Sequence, residues 1–323
     1  MEIPMMADAA HTLPKSTAAK LSFPMLALTL ASLFWSGNFI VGRVLRGQVD
    51  PLTLNFSRWA LALVLMGPFV WRDVVASMPV LRREWRLILA LGATGIAAFH
   101  TLVYFALRRT TATNALLILA LAPALTVAVA AVLGSESLRR HQVFGTLLSF
   151  IGAALLISRG RLTTSTGAFN AGDLLMVLAV LVWAAYSLLL RRRPADLSQA
   201  VTLSASIVAA LVFLTPFLFL FAPTPLTTVS SPPVLLCITY VALFASALGF
   251  LFWSHGVSQL GPARASQFVQ LMPLFGAALS YLILGETLTS TQIGGALLVM
   301  SGIALVECRF RRHSSSSNQG AMA

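Results

Sequence analysis

A small set of polar and aromatic side chains interrupts the long apolar stretches of this chain, and these side chains could bind a small molecule. They are Trp35, Asn38, His100, Tyr104, Trp183, Tyr186, Ser246, Trp253, Gln267 and Gln270. An amide or hydroxyl group in apolar surroundings is costly unless it finds a partner, so such groups point to a binding site or a pathway. We therefore expect these residues to line a substrate cavity.

Two pairs within this set share a helix face. Trp183 and Tyr186, like Gln267 and Gln270, are three residues apart, which makes them neighbours on a helix surface. Amides combined with aromatic rings suit a neutral or zwitterionic molecule with an apolar part. His100 could face the same cavity and titrate near neutral pH, although a histidine in such a helix is also commonly satisfied by a neighbouring helix.

The composition is that of a membrane protein. The 323 residues are 58% hydrophobic and 10% charged, with a mean hydropathy of +0.86. A soluble domain has about 45–50% apolar and about 25% charged residues. The apolar residues arrive in blocks of about 20, the length of a helix that crosses roughly 30 Å of hydrocarbon. These blocks are 22–45, 51–71, 85–107, 111–133, 142–158, 172–190, 199–221, 233–253, 263–284 and 291–306.

The basic residues lie mainly between the apolar blocks. Their net charge of +12 therefore indicates membrane topology, and we expect no nucleic-acid partner. Over ten crossings, 15 of the 22 Lys and Arg fall on the side of the N-terminus and 7 on the other. The positive-inside rule then places both termini in the cytoplasm of a cell whose inner (plasma) membrane the chain spans.

An internal repeat is the most specific feature of the sequence. The stretches 115–152 and 265–302 match without a gap at an offset of 150, pairing Pro123 with Pro273, for example. A weaker match pairs Trp35 with Trp183. Because each copy holds five helices, the second copy must enter the membrane from the opposite side. Inverted repeats are typical of secondary transporters, although channels use them too.

The repeats also resemble a known family. The motifs are Gly-Pro-Ala-Arg-Ala-Ser at 261–266, Leu-Met-Pro at 271–273, Leu-Gly-Glu at 284–286, and Phe-Trp-Ser-Gly-Asn-Phe at 34–39. They resemble the two EamA repeats of the drug/metabolite transporter superfamily. The resemblance implies a carrier of amino acids or related metabolites, often an exporter, and members similar to the YddG type export aromatic amino acids.

The expected fold is an all-α polytopic membrane protein with ten transmembrane helices, arranged as two inverted five-helix repeats. The expected domains are a disordered N-terminal tail (1–21), two EamA-like repeats (22–158 and 170–308) and a basic, serine-rich C-terminal tail (309–323). The expected partners are a small-molecule substrate and the lipid bilayer. A monomer and a homodimer are both open.

Prolines and glycines at matching positions of the two repeats suggest structural roles for these residues. Pro123 and Pro273 would kink helices four and nine near their middles, either as hinges beside the site or as tolerated bends. Small residues that share a helix face allow close packing in lipid, within the bundle or between two chains. These small residues are Gly145, Gly152, Gly295 and Gly302.

Few ionisable residues fall inside the apolar blocks. We expect Arg58 and Asp173 to reach the membrane interface by snorkelling, so that neither is deeply buried. Ion coupling is therefore open between facilitated diffusion and exchange through His100 or Asp173. The two cysteines, Cys237 and Cys308, suggest neither a disulfide framework nor a metal site, and we expect no cofactor.

Several other functions are weighed against an amino-acid carrier. A phosphate ester or nucleotide sugar would need a cation at mid-membrane depth, for which Arg264 is the candidate. A carrier of a drug-like cation and a channel are further alternatives. An intramembrane enzyme would need clustered His or Asp residues, and none is found, so we expect no enzymatic activity.

Overall fold

The computed structural model describes residues 16–45, 47–110, 115, 118–132, 140–158, 170–221, 226–284 and 289–319. Over these ranges the chain is helical and has no strand. The main helices, labelled α1 to α10 in chain order, are α1 (Ser16–Val44), α2 (Pro51–Ala76), α3 (Trp85–Leu91, Gly92–Ala98 and Phe99–Leu107), α4 (Ala122–Val132), α5 (Arg140–Ser158), α6 (Ala171–Leu190), α7 (Gln199–Phe221), α8 (Pro232–Tyr240, Val241–Leu248 and Gly249–Leu260), α9 (Pro262–Gln267, Phe268–Gln270 and Leu271–Leu284) and α10 (Ser290–Gln319).

Several helices extend beyond the apolar blocks. α1 already begins at Ser16, inside the expected tail, and α10 continues to Gln319. Residues 1–15 of the expected N-terminal tail lie outside the described residues. The ends of α1 and α10 differ from the ends of the apolar blocks because hydropathy marks only the part of a helix that contacts lipid. Backbone hydrogen bonds continue the helix into polar sequence.

Several helices are suited to a membrane by length and composition. In the part of the chain that the structure describes, five runs are long and apolar enough to cross it: Pro51–Ala76, Trp85–Ala106, Ala171–Leu190, Gln199–Phe221 and Pro232–Leu260. Shorter apolar stretches cover Val143–Leu155 and Ser290–Leu305. Large apolar side chains also face outward, and Phe69 and Phe219 are 85% and 83% exposed. An outer surface of this kind is stable in lipid and not in water.

The two halves of the chain interlock, because helices of each half pack against helices of the other half. α1 of the first half packs against α8 and α9 of the second, and its counterpart α6 packs against α3 and α4 of the first. Similarly, α2 contacts α8 while α7 contacts α3. The pairs α2 with α7, and α5 with α10, each join two counterparts directly. Each contact therefore has an equivalent in the other half, as expected for an internal repeat.

Matching interruptions occur in α3 and α8. Each contains a π-helical segment, Gly92–Ala98 in α3 and Val241–Leu248 in α8. The wider turn of a π-helix disturbs the regular backbone ladder and is frequent at functional sites. The two segments lie at equivalent places of the two halves, and both border the site described below.

A third interruption divides α9 at the 3₁₀ turn Phe268–Gln270. Two serines of α1 supply hydrogen bonds to carbonyls of this region. Ser32 donates to the carbonyl of Phe268 at 2.7 Å, and Ser36 donates to that of Met272 at 3.0 Å. The first helix of one half is thereby tied to the interrupted helix of the other.

Glycines allow α5 and α10 to approach closely. A Cβ atom at Gly152 would lie 2.6 Å from the carbonyl oxygen of Gly295, and one at Gly302 would lie 2.5 Å from that of Gly145. The two contacts are equivalent at the offset of 150. The glycines therefore form part of a seam within the chain, where any larger residue would force the helices apart.

Candidate functional site

An aromatic cluster lies where α1, α2, α3, α6 and α8 meet. We define this cluster as Trp35, Trp59, His100, Trp183, Tyr186, Phe250 and Trp253, all of which are buried. Phe250 lies at its centre: its ring centroid is 4.8 Å from that of Trp59, 5.9 Å from that of His100 and 5.7 Å from that of Trp183. Edge-to-face and offset contacts at these distances are favourable ring geometries.

The two counterpart tryptophans meet in this cluster. The ring centroids of Trp35 and Trp183 are 5.3 Å apart with the planes at 87°, and both rings also contact Trp253. Trp35 is anchored by its indole N–H, which donates to the carbonyl of Ala245 in the π segment of α8 at 2.9 Å. Gly249 permits this approach, because a Cβ atom there would lie 2.8 Å from the indole nitrogen.

A buried arginine borders the cluster. Arg58 of α2 is 0% exposed, which corrects the expectation that its side chain reaches the membrane interface. Its Nε donates to the hydroxyl of Ser246 at 2.8 Å, and its Nη1 donates to the hydroxyl of Tyr104 at 3.2 Å. These bonds to α8 and α3 hold the guanidinium inside the bundle, with its Cζ 5.3 Å from the ring centre of Trp59.

Several polar atoms of this arginine, of its helix and of the aromatic cluster lack a hydrogen-bond partner. They are Nη2 of Arg58, Oδ1 of Asn55, Nε1 of Trp59 and Nε1 of Trp253. Buried polar groups are nearly always satisfied, so a local group of unsatisfied donors and acceptors calls for an explanation. A bound small molecule would supply partners of both kinds.

Most of the residues predicted from sequence converge here. Seven of the side chains join the aromatic cluster or the hydrogen bonds of Arg58: Trp35, His100, Tyr104, Trp183, Tyr186, Ser246 and Trp253. Asn38 is half-buried on α1, three residues after Trp35.

The two glutamines of α9 make their hydrogen bonds elsewhere. Gln267 donates to the hydroxyl of Thr146 on α5 at 2.9 Å, and Gln270 donates to the carbonyl of Ala120 at 3.2 Å. Both are buried, and these bonds join α9 to α5 and to the turn before α4. The glutamines therefore contribute to contacts between helices rather than to the aromatic cluster.

The two matched prolines follow interruptions in their helices. Pro123 lies in the first turn of α4, after a turn at Ala120 and Leu121, and Pro273 lies in the first turn after the 3₁₀ segment of α9. Proline is well tolerated at such positions because the first N–H groups of a helix have no partner within it. Both helices are thus interrupted at equivalent points.

Asp173 is also buried, with 4% of its surface exposed, so the expectation that it reaches the membrane interface is wrong as well. It lies at the start of α6, where its carboxylate accepts from the backbone N–H of Asn170 at 3.1 Å and from the hydroxyl of Thr110. Asn170 in turn accepts from the backbone of Asp173, which completes a capping box. Among the described residues, no group of three or more His, Cys, Asp or Glu is placed to hold a metal.

The sequence interpretation missed Arg58, Trp59 and Phe250 as parts of this site. Arg58 did offer a signal, since it is a lone charge seven residues into an apolar helix, or roughly 10 Å along its axis. Trp59 and Phe250 offered none, because aromatic residues in apolar helices more commonly serve in packing.

The apolar helices and the two equivalent halves define a multi-pass membrane protein built from an internal repeat. The EamA-like transporter family matches residues 22–158 and again residues 170–308, and the chain belongs to this family. A solved structure aligns with 90% of this chain and 98% of its own at a TM-score of 0.75, and its 21% sequence identity supports the fold alone.

Curated relatives are transporters by name. The chain is 29% identical to the uncharacterized transporter YyaM of Bacillus subtilis over 84% of this chain and 89% of that one. It is 27% identical to a probable terminal-alkyne amino-acid exporter of Streptantibioticus cattleyicolor, over 92% and 98% of the two chains. It is also 27% identical to a probable amino-acid metabolite efflux pump of Salmonella typhimurium, over 87% and 94%.

Proposed function

We propose that this protein is a secondary transporter that exports amino acids, including aromatic or apolar ones, across the inner membrane. The observation that carries the proposal is the aromatic cluster, which both halves of the chain build where their helices interlock. Tryptophan and tyrosine rings bind an apolar side chain by stacking, and the unsatisfied polar atoms beside them can bind an amino acid's charged groups. Export and the amino-acid class rest on the names of two relatives.

The proposed mechanism is alternating access between two inverted five-helix repeats. In this mechanism ten helices cross the membrane, both termini are cytoplasmic, and the two halves rock around a site near the midplane. The interlocking of the two halves supports it, because a movement of one half against the other must open or close their shared cluster. The matched interruptions of α3 and α8 would give both halves a similar place to bend.

The predicted substrate residues enter this proposal in two groups. Residues in the cluster and around Arg58 would contact the substrate. Asn38 would lie at the edge of the site, while Gln267, Gln270 and the two prolines would control how α9 and α4 move.

Two alternatives fit this site less well. A drug-like cation would be repelled by the buried guanidinium of Arg58, and a channel would need an open path through rings that here pack at 4.8–5.9 Å. A different anionic metabolite is the alternative that Arg58 itself favours, and the experiments below separate it from an amino acid.

The test is counterflow of radiolabelled phenylalanine, tryptophan and leucine in proteoliposomes containing the purified protein. Wild-type protein should show saturable counterflow, and Trp183→Ala should lower it at least roughly tenfold, since one buried aromatic contact contributes several kcal/mol. Trp71→Ala, at a tryptophan of α2 that is 66% exposed, is the matched control and should transport as wild type does. Folded wild-type protein that moves none of the three amino acids would overturn the proposal.

A further inference from the structure

Among the residues that the structure describes, no carboxylate forms an ion pair with Arg58. Its two hydrogen-bond partners are the hydroxyls of Ser246 and Tyr104, which are neutral, and its Nη2 has no partner. The ion pairs found among the described residues join Arg83 to Glu84 and to Asp196 at the protein surface. The buried carboxylate of Asp173 accepts hydrogen bonds from the backbone of Asn170 and the hydroxyl of Thr110 at the start of α6.

A buried cation of this kind is unfavourable by itself. Moving an ammonium-sized or guanidinium ion out of water costs several kcal/mol even in a real protein, unless an anion accompanies it. Arg58 also lies in the bundle interior, where ionisable residues of membrane proteins mark pathways for substrates or ions. The missing partner is therefore expected to be an anion that enters from solution.

We propose that Arg58 binds the carboxylate of the transported molecule, an inference that rests on the proposed function. The hydroxyls of Tyr104 and Ser246 each accept a hydrogen bond from the guanidinium, so each keeps its own O–H free to donate to the same anion. One carboxylate thus meets up to three donors: Nη2 of Arg58 and the two hydroxyls. Hydrogen bonds between ions of opposite charge are the strong ones in proteins.

The charge of the site favours a carboxylate over a phosphate. A single guanidinium compensates a single negative charge, whereas a phosphate ester near neutral pH carries nearly two and would need a second cation. Arg58 is the only arginine or lysine among the buried side chains of the described residues. Arg264, the candidate phosphate ligand of the sequence analysis, is only partly buried and is not one of these side chains.

The neighbours of Arg58 also fit the remainder of an amino acid. The ring centre of Trp59, a member of the aromatic cluster, lies 5.3 Å from the guanidinium carbon. An apolar side chain could stack on the other rings of the cluster. Asn55 lies one helical turn before Arg58, and its Oδ1 has no partner, so it can accept a hydrogen bond from the substrate's ammonium group. The site therefore suits an aromatic or apolar α-amino acid.

The experiment compares four molecules that share a benzene ring: phenylalanine, 3-phenylpropionate, phenylalaninamide and phenethylamine. The first two carry a carboxylate and the last two do not. Each competes with radiolabelled phenylalanine, and separately with radiolabelled 3-phenylpropionate, in counterflow by proteoliposomes. We expect the two carboxylates to compete and the other two to be weaker by roughly tenfold to a hundredfold, which is the value of a charge-assisted hydrogen bond.

Variants at two arginines of the same helix complete the test. Arg58→Met removes the charge and should abolish the preference for carboxylates, whereas Arg58→Lys should keep a weaker preference. Arg72→Met changes an exposed residue of α2 and should resemble wild type. Unfolding temperature in detergent is measured in parallel: because the charge of Arg58 is unpaired, Arg58→Met should unfold no earlier than wild type.

The outcomes separate this inference from the proposed function. If phenylalanine is transported but Arg58→Met keeps full preference for carboxylates, the inference is wrong and the amino-acid function stands. If only 3-phenylpropionate is transported, and through Arg58, the inference holds and the amino-acid function is wrong. If folded wild-type protein moves neither carboxylate, both are wrong.

Discussion

The hydroxyl of Ser149 donates a hydrogen bond to the carbonyl of Val299 at 3.2 Å, and these two residues occupy the same position in the two repeats. A second bond has the same property, since Gln270 donates to Ala120 at 3.2 Å, again across an offset of 150 residues. When a two-fold rotation axis relates the two repeats, a residue can contact its own counterpart only where that axis passes between the two residues. The two bonds thus locate this axis between α5 and α10 and between α4 and α9.

The first prediction concerns the glycine seam between α5 and α10. Gly302→Ala should lower the free energy of unfolding by about 1–3 kcal/mol, because the new methyl group would meet Ser149 and Gly145. Gly294→Ala is a matched control on the same helix, since nothing lies within 4 Å of a Cβ atom there. Thermal unfolding in detergent measures both. Equal behaviour of the two variants would show that the seam is not closely packed.

The second prediction tests whether the repeats are inverted. Alkaline phosphatase, which is active only outside the cytoplasm, is fused after Gln48 in the α1–α2 loop or after Asp196 in the equivalent α6–α7 loop. Inverted repeats place these loops on opposite sides, so the first fusion should be active and the second inactive. Activity of both fusions, or of neither, would indicate repeats with the same orientation.

The third prediction concerns the capping box of α6. Asn170→Ala should reduce stability by about 1 kcal/mol, the usual cost of losing an N-cap. Asp173→Asn should also weaken the cap while leaving the pH dependence of transport unchanged, because its carboxylate is already bound by backbone and hydroxyl donors. A shifted pH profile in Asp173→Asn would assign this carboxylate to ion coupling after all.

The fourth prediction uses the difference between the two matched tryptophans. Trp35→Phe removes both ring area and the hydrogen bond to Ala245. Among the described residues the indole of Trp183 makes no such bond to another helix, so Trp183→Phe removes ring area alone. Trp35→Phe should therefore be the less stable variant, by about 1 kcal/mol, the net value of one hydrogen bond. Thermal unfolding of the two purified variants gives the comparison, and equal unfolding temperatures would count against an anchoring role for the indole N–H.

Much of the fold could be predicted from the sequence because lipid imposes a simple rule on it. Long apolar runs mark most helices, and the offset of 150 identifies counterparts such as Pro123 and Pro273 before any contact is known. Helix ends were less predictable. α10 continues to Gln319 because backbone hydrogen bonding does not stop where apolar side chains do.

The site was only partly predictable. Trp35 and Trp183 could be linked through the repeat, but the depth of Arg58 depends on Ser246 and Tyr104, which lie on two other helices. The hydrogen bonds of Gln267 and Gln270 depend likewise on residues of α5 and of the turn before α4. Helix periodicity shows which residues share a face, and it does not show which neighbour that face meets.

Arg58 has no charged equivalent in the second repeat. The corresponding stretch of α7 reads Ser206, Ile207 and Val208. If the two halves exchange roles during transport, this one positive charge moves relative to the two membrane surfaces. Carrying a full charge across 100 mV corresponds to about 2.3 kcal/mol, so even part of that path makes the step sensitive to voltage. Because a zwitterionic amino acid adds no net charge to that of Arg58, the membrane potential would act on the loaded and the empty protein alike, and a living cell would thereby influence the rate of both halves of the cycle.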